Sequence, residues 1–388
     1  MRILTGWESE RNRSCFKFNP DMVLTGVVFF IILSILVLVH ELGHYLTARL
    51  IGVDVEEFGL GLPPRIAGKK IKGTVYSVNW LPIGGFVKLL GEDDEEETGS
   101  KKRSGSFRRY FWARSKKERS IILLAGVFMN FLLAVFLTSF LLTQGVREPS
   151  GRVYIETVIT GSPGEQAGLF KGDAIKSVEL WPKITLDMSP PIEIKTTKDL
   201  IEFTRKNAGQ KIQIIFTRNG DEKAVILVPR SAPPVGEGPM GIAISDLEER
   251  KYAWTQAPVK ALEINFLRGR DMLASVGNVV WRLVTLRSVG EEVAGPVGIA
   301  QVTGQAMKFG WRAILEFMSI LSLNLAVLNI LPIPALDGGR LMFVFMEKLL
   351  GKRVKPAFER STHQFGILIL FALILLITIN DILRIVRG

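Results

Sequence analysis

The five residues His40-Glu41-Leu42-Gly43-His44 follow directly on the apolar run Met22–Val39. Residues four apart on a helix share a face, so the two imidazoles can bind one Zn²⁺. Glu41 is then placed to act as general base on a water that the metal activates. The chain has three histidines, and two of them lie in this motif. We therefore interpret the stretch as a zinc peptidase site at the edge of a membrane.

Hydrophobic residues make up 47% of the 388-residue chain and concentrate in four blocks. Each block approaches or exceeds the roughly 18 apolar residues that suggest a bilayer crossing. The first block runs into His40 instead of a small-residue cleavage site, which favours a retained span over a secretory signal. The segment between the second and third blocks reads as water-soluble. The blocks are Met22–Val39, Ile121–Leu142, Ile314–Leu331 and Phe365–Ile379.

The net charge of +11 is concentrated in the connections between these blocks. Residues 49–119 hold fifteen Lys and Arg, and residues 340–360 hold six. Such an excess is typical of cytoplasmic loops, so the long soluble segment and both termini are predicted to lie outside. Basic residues in the N-terminal tail argue mildly against this orientation. The pattern indicates a lipid bilayer and no nucleic acid as partner, and the single Cys15 excludes an internal disulfide.

Residues 53–92 predict short strands and turns, with many glycines and prolines around β-prone pieces such as Thr74–Val78. A hydrophobic hairpin beside a membrane is uncommon unless protein covers it or it binds something, since exposed strand edges are costly in lipid. An ordinary cytoplasmic hairpin is the alternative interpretation.

Residues 151–246 predict one compact domain, in which Asn219-Gly220 is a strong hairpin signal. From Ser162 to Asp173 the chain reads Ser-Pro-x-x-x-Ala-Gly-Leu-x-x-Gly-Asp, which is similar to the start of circularly permuted bacterial PDZ domains. PDZ domains bind extended peptides by strand addition at a sheet edge. A spacer or steric gate is an equally open interpretation. The following stretch, Ala257–Leu286, is amphipathic and predicts a helix along the membrane surface.

A catalytic zinc site needs a third protein ligand, and His363 stands alone at the start of the fourth span. Asp337 follows the third span among prolines and glycines that break the helix. An acid beside apolar sequence is costly without a partner, which favours a metal ligand, although capping of the next helix is the alternative. Asn130 and Asn324 lie within apolar spans and predict polar ties between helices; for Asn130 a role at the site is also open.

These features together resemble the site-2 protease family of intramembrane zinc proteases, in particular the bacterial branch typified by the regulator-of-sigma-E protease. The matching pieces follow the family's order over nearly the whole chain, and HExxH with N-x-x-P-x-P-x-L-D-G is a specific pair of motifs. Gly126-Val127 departs from a common Gly-Pro, and one PDZ domain stands where the best-known relative has two. The pieces are His40–His44, the hairpin region ending near Gly84–Val87, Ala125–Asn130, the PDZ segment, Gly295–Ala300 and Asn329–Gly339.

The resemblance implies that His40, His44 and Asp337 bind Zn²⁺ and that Glu41 is the base. It implies that Asn329 holds the substrate backbone or the developing oxyanion, and that the hairpin clamps an unwound substrate as an added strand. The implied substrates are single-span membrane proteins, such as anti-sigma factors or remnant signal peptides, cut within or near the transmembrane segment. The implied location is the bacterial cytoplasmic (inner) membrane, with the active site toward the cytoplasm.

Two other functions stay open at this point. One is a membrane-anchored PDZ module that binds a peptide or protein ligand and has a non-catalytic zinc site. The other is a tethered zincin that acts on soluble peptides.

The predicted fold class is a polytopic α-helical membrane protein with four transmembrane helices, a membrane-associated β-hairpin and an inserted extracytoplasmic PDZ domain. The predicted boundaries are 1–21 for an N-terminal tail, 22–50 for the first span with HExxH, 51–119 for the hairpin region, 120–144 for the second span, 151–246 for the PDZ domain, 253–309 for an amphipathic interfacial region, 310–340 for the third span with the LDG motif, 341–362 for a cytoplasmic loop and 363–383 for the fourth span.

Overall fold

The computed structural model describes residues 20–92, 107–181, 191–285 and 295–387. The chain divides into two compact units, one formed by Met1–Leu141 with Trp254–Gly388 and the other by Leu142–Ala253. The predicted N-terminal tail, with Cys15, lies almost wholly outside the described residues, as does the stretch 286–294 inside the predicted interfacial region.

The secondary structure follows the predicted order of helical and β-rich segments. In chain order the elements are α1 Pro20–Ile51, β1 Val55–Ile71, β2 Thr74–Leu89, α2 Lys116–Gln144, β3 Val146–Val158, α3 Pro163–Gln166, β4 Ala174–Leu180, β5 Ile192–Glu193, α4 Thr197–Lys206, β6 Ile212–Arg218, β7 Asp221–Leu227, β8 Ile242–Arg250, α5 Ala257–Val284, α6 Pro296–Phe309, α7 Trp311–Ile330, α8 Asp337–Leu350 and α9 Pro356–Arg387.

Four of the described helices are long and apolar enough to cross a membrane. Their apolar segments agree with the four blocks expected from the sequence, so the prediction of a multi-pass membrane protein with a β-rich part is confirmed. In α1, twenty residues from Met22 cover about 30 Å, the thickness of the hydrocarbon layer. A stretch of that length counted from Met22 ends at Glu41, within the histidine motif, and α1 continues to Ile51. The segments are Met22–Ile51, Lys116–Gln144, Trp311–Ile330 and Ala357–Leu383.

Small polar side chains join α2 to α7 along their length. Ser322 donates its hydroxyl to the carbonyl oxygen of Asn130 at 2.7 Å, and Ser319 donates to that of Ala134 at 3.0 Å. The hydroxyls of Thr138 and Ser319 also lie 2.9 Å apart. Such bonds hold helices together where water is scarce, because a lone polar group in lipid has no other partner. They fix the face that α2 presents to α1.

The predicted hairpin is more elaborate than two paired strands. Its strands β1 and β2 both bend, so that residues 55–60 of β1 pair on one side with residues 85–89 of β2 and on the other with 75–78. Glu57, for example, pairs with both Lys88 and Val75. Residues 85–89 consequently form an outer edge of the small sheet.

The connection predicted as a loop at 341–362 is largely helical, which corrects that expectation. Most of α8 and the first turns of α9 lie in it. The helix forms because α8 buries Phe343 and Val344, and Val344 packs in a cluster with residues of α1, α2 and β2. The predicted third span also ends earlier than 340, since α7 stops at Ile330 and a separate helix begins at Asp337.

The unit Leu142–Ala253 contains an antiparallel sheet with the strand order β7-β6-β4-β3-β8, in which β5 also pairs with β4. Asn219 and Gly220 both have positive φ in the turn between β6 and β7, which confirms the predicted hairpin. Asp173 is buried and binds Arg218 at 2.7 Å, which raises the pKa of that guanidinium. The core is built mainly from side chains of these strands and of α4, including Val153, Ile155, Ile175, Val178, Leu200, Ile212, Ile214 and Phe216.

Candidate metal centre

Three ligand-bearing side chains from two distant parts of the chain converge at one point. The Nε2 atoms of His40 and His44 lie 3.1 Å apart. The Oδ2 atom of Asp337 lies 2.9 Å from the first and 3.2 Å from the second. Both histidines are buried, with 7% and 8% of their surface exposed. Within the described residues this is the group of at least three His, Cys, Asp or Glu side chains that could hold a metal ion.

The chemistry of these atoms fits a divalent cation. His44 Nδ1 lies 2.8 Å from the Ile122 carbonyl oxygen and donates to it, which leaves the lone pair of a neutral imidazole on Nε2. Asp337 Oδ2 is buried without a hydrogen-bond donor. Lone pairs that face one another repel unless a cation lies between them. Ligands about 2.0–2.1 Å from Zn²⁺ in a tetrahedron are about 3.3 Å apart, close to the observed separations.

Close packing of α1 against α2 brings the histidines to this point. A Cβ atom at Gly43 would lie 2.4 Å from the carbonyl oxygen of Ala125, and one at Gly126 would lie 2.4 Å from His44 Nε2. Both positions therefore require glycine, which has no Cβ atom. Gly126-Val127 stands where the family commonly has Gly-Pro, so the glycine on which this packing depends is kept.

The turn before α8 aims Asp337 at the histidines. Ala335 has a φ of 86°, and its N–H donates to Nδ1 of His363 at 3.0 Å. A Cβ atom at Gly338 would lie 2.1 Å from the Leu331 carbonyl oxygen, so the tight turn needs glycine there. The capping alternative for Asp337 is not what the structure shows, because Leu336 occupies the N-cap position. His363, which stands alone in the sequence, supports this turn.

Glu41 lies beside the three ligands and lines a cavity of about 360 Å³. Val87, in the outer-edge segment of β2, lines the same cavity. A Cβ atom at Gly85 would lie 3.8 Å from Glu41 Cγ. The strand edge therefore runs directly past the acid. The other lining residues are His44, Phe86, Lys88, Leu89, Glu92, Ile122, Leu123, Asp337 and Arg340.

The three asparagines that the sequence singled out lie in different surroundings. Asn130 is fully buried, and its amide lies 3.4 Å from Nδ1 of His40. Asn329 lies half-buried in the last turn of α7, and the described residues give no hydrogen bond between it and the ligands. Asn324 lines a second cavity, between α5 and α7, together with Arg268, Asp271, Met272, Ser275 and Val276.

Sequence reasoning missed residues that hold the site from outside. Arg340 pairs with Glu92 across the cavity, and the hydroxyls of Tyr45 and Tyr76 meet at 2.5 Å between α1 and β2. Tyr45 also packs edge-on against Phe58, with ring centroids 5.3 Å apart. Neither pair has a spacing signal, because each joins residues far apart in the chain. The carbonyl of Ile122 was missed since a backbone acceptor leaves no mark in the sequence.

Comparison with known proteins decides the family. Residues 28–373 match the profile of Peptidase family M50. The chain belongs to peptidase family M50, the site-2 proteases. The resemblance inferred from the two motifs is thereby confirmed.

Similar proteins named as zinc metalloproteases occur in several bacteria. The chain is 33% identical over 377 residues to “Putative zinc metalloprotease FN1322” of Fusobacterium nucleatum, covering 92% of this chain and 98% of that protein. It is 28% identical over 439 residues to zinc metalloprotease RasP of Shouchella clausii, again covering 92% and 98%. The similarity thus covers nearly the full length of both proteins.

Membership in family M50 makes this protein a zinc-dependent metalloendopeptidase of a membrane, with Zn²⁺ as its cofactor. Its substrates are membrane proteins in a lipid bilayer. The family and the three converging side chains agree on the metal, while the roles of individual residues are proposed below.

Proposed function

We propose that this chain is an intramembrane endopeptidase that cuts single-span membrane proteins within or near their transmembrane segment. His40, His44 and Asp337 are the zinc ligands and Glu41 is the general base. The observation that carries the proposal is the convergence of the three ligand atoms within 4.8 Å, with both histidines on a membrane-length helix.

When bound at these residues, Zn²⁺ supplies Lewis-acid activation of the attacking water and of the scissile carbonyl. Glu41 accepts the proton of that water and later gives it to the leaving amine. Its place in the cavity beside His44 and Asp337 supports this role. Asn329 is proposed to stabilise the oxyanion; its position in the last turn of α7, in the matched family motif, supports that role.

The outer-edge segment of β2 is proposed to bind the substrate as an added strand. A helix hides its carbonyl carbons, and its hydrogen bonds are hard to replace in lipid, so cleavage requires local unwinding. An exposed strand edge offers backbone groups to an unwound segment. The position of this edge supports the role, because Val87 and Glu41 line one cavity and a strand paired at that edge would lie next to the base.

The unit Leu142–Ala253 is proposed to be a PDZ domain on the outer face of the inner membrane, opposite the active-site side. Two observations support a peptide-binding edge: β8 pairs with β3 alone among the described strands, and α4 lies near β8. If this unit binds peptides, a soluble C-terminal peptide should bind to it; if it acts only as a steric gate, the peptide should not bind. Anti-sigma factors and remnant signal peptides are the proposed substrates.

The test is cleavage of a purified single-span substrate in lipid by the wild-type protein and by Glu41→Gln, with zinc content measured for both. We expect wild-type cleavage, and at least about a 10²-fold loss in the variant with zinc retained, because a general base typically contributes 10²–10⁴-fold. Equal cleavage by both proteins, or no cleavage by zinc-loaded wild type, contradicts the assignment. A PDZ module with a non-catalytic zinc site would give the second result.

A further inference from the structure

One face of α2 packs against the two histidines over three consecutive turns. Ile122, Gly126 and Asn130 are spaced four residues apart and so share this face. Ile122 offers its carbonyl oxygen to His44 Nδ1 at 2.8 Å. Gly126 leaves the space that the rings occupy, since a Cβ there would lie 2.6 Å from His40 Cε1. The third position places the Asn130 amide 3.4 Å from His40 Nδ1.

The two histidines differ in what faces their Nδ1 atoms. His44 faces a carbonyl, which can only accept, so its tautomer is fixed. His40 faces an amide, which can accept or donate depending on which of its two ends points inward. In the described residues, the Asn130 amide is the polar group within hydrogen-bonding distance of His40 Nδ1.

Metal binding decides between the two orientations of the amide. A neutral imidazole that binds a metal through Nε2 carries its proton on Nδ1 and needs an acceptor there. The oxygen and nitrogen of an Asn amide exchange places by a half-turn and are assigned from their partners. With the nitrogen turned inward, Asn130 Oδ1 is buried without a donor. With the oxygen turned inward, it accepts the proton that zinc binding places on His40 Nδ1.

We propose that Asn130 is a positioning residue whose amide oxygen accepts the Nδ1–H of His40 and fixes the tautomer and ring orientation of that zinc ligand. The Asn130 amide oxygen thus does for His40 what the Ile122 carbonyl oxygen does for His44: it accepts the Nδ1–H. The inference rests on the proposed function in one respect, that His40 binds the metal through Nε2.

The surroundings of Asn130 hold the amide in place for this role. Asn130 has no exposed surface, and its own carbonyl oxygen accepts the Ser322 hydroxyl at 2.7 Å. That bond joins this turn of α2 to α7. A fully buried amide inside a membrane-length helix is costly unless it is paired, and the imidazole is the partner at hand.

The test measures zinc affinity by competition with a chelator in the full-length protein, for wild type, Asn130→Leu and Asn130→Asp. Leucine has a similar volume without an acceptor, and we expect zinc affinity to fall about 10–100-fold. Aspartate can only accept, so we expect wild-type affinity or tighter. Thr138→Val is the matched control, because Thr138 is a buried polar tie on α2 two turns away from the site. Its zinc affinity should stay within about 3-fold of wild type on the same argument.

Nitrogen-15 spectra of histidine-labelled protein give a second readout, and the chain has three histidines to assign. With zinc bound, His40 should show a protonated Nδ1 and a metal-bound Nε2, and the Nδ1 signal should shift in Asn130→Leu. If Asn130→Leu does not fold, Asn130→Asp carries the test alone, since weaker zinc binding by that variant overturns the proposal.

The outcomes separate the two proposals. Unchanged zinc affinity in Asn130→Leu, or an equal loss in Thr138→Val, overturns the role of Asn130 and leaves the zinc ligands standing. Wild-type spectra in which His40 Nε2 binds no metal overturn the ligand set itself.

Discussion

Arg340, three residues after Asp337 on α8, forms an ion pair with Glu92, which follows the end of β2. The other carboxylate oxygen of Glu92 accepts the N–H of Leu89 at 3.1 Å. Both members of the pair line the cavity that holds Glu41. The helix that carries Asp337 is thus tied to the end of the strand proposed to bind the substrate.

Removal of this tie should lower catalysis without removing zinc. We expect Arg340→Ala and Glu92→Ala each to reduce kcat/KM by at least about 10-fold, since small misplacements at a reacting centre can cost up to 10² in rate. The double variant should be hardly worse than either single one, because both changes remove the same contact. Kinetics with zinc content measured for each variant checks this. Fully additive losses would show that the two residues act separately.

A methyl group at position 126 should disrupt the metal centre. Gly126→Ala would place Cβ 2.4 Å from His44 Nε2 and 2.8 Å from His40 Nδ1, so the rings or α2 must shift. We expect zinc affinity to fall at least about 10-fold, as for other changes around metal-binding histidines. Gly269→Ala is the matched control, because its Cβ would make an ordinary contact 3.7 Å from Leu323. Equal zinc affinity in both variants would contradict the observed packing of α2 on α1.

The opposite end of α8 depends on a buried ion pair with α2. Arg119 and Glu347 are 8% and 2% exposed and are bonded to each other. Arg119→Met leaves the Glu347 carboxylate without this partner, and breaking such a pair costs about 3–5 kcal/mol. We expect a marked loss of stability in thermal or denaturant unfolding of the zinc-loaded protein. The double variant Arg119→Met/Glu347→Leu should recover much of it, because no buried charge is then left unpaired; Arg353, which lies 3.9 Å from Glu347, is about a third exposed and stays solvated. A further loss of stability would refute the argument.

The sequence predicted those features that depend on residues close to one another in the chain. The spacing of His40 and His44 on one helix places both imidazoles on one face, and the four apolar blocks match the membrane-length helices. Asp337 could be inferred because its motif stands beside helix-breaking residues, but its approach to the histidines comes from packing between distant segments. The same holds for Arg340 and Glu92, which are 248 positions apart.

Two structural features had no clear sequence signal for a physical reason. The doubled sheet depends on non-local pairing, since Glu57 lies between Lys88 and Val75, and strand periodicity does not say which strands meet. The helix α8 is mostly apolar, and composition alone does not show that it forms a helix separate from the third span. Tertiary contacts of Phe343 and Val344 decide its structure.

The most direct test of the account is where the protein cuts. The zinc-loaded protein in lipid is given a single-span substrate, and the masses of the fragments locate the broken bond. The same cleavage sequence is offered in parallel as a soluble peptide, with Glu41→Gln as the control for both. We predict a cut within or near the transmembrane segment, by the wild-type protein alone, and little or no cleavage of the soluble peptide. Efficient cleavage of the soluble peptide with the membrane substrate left intact would contradict the account.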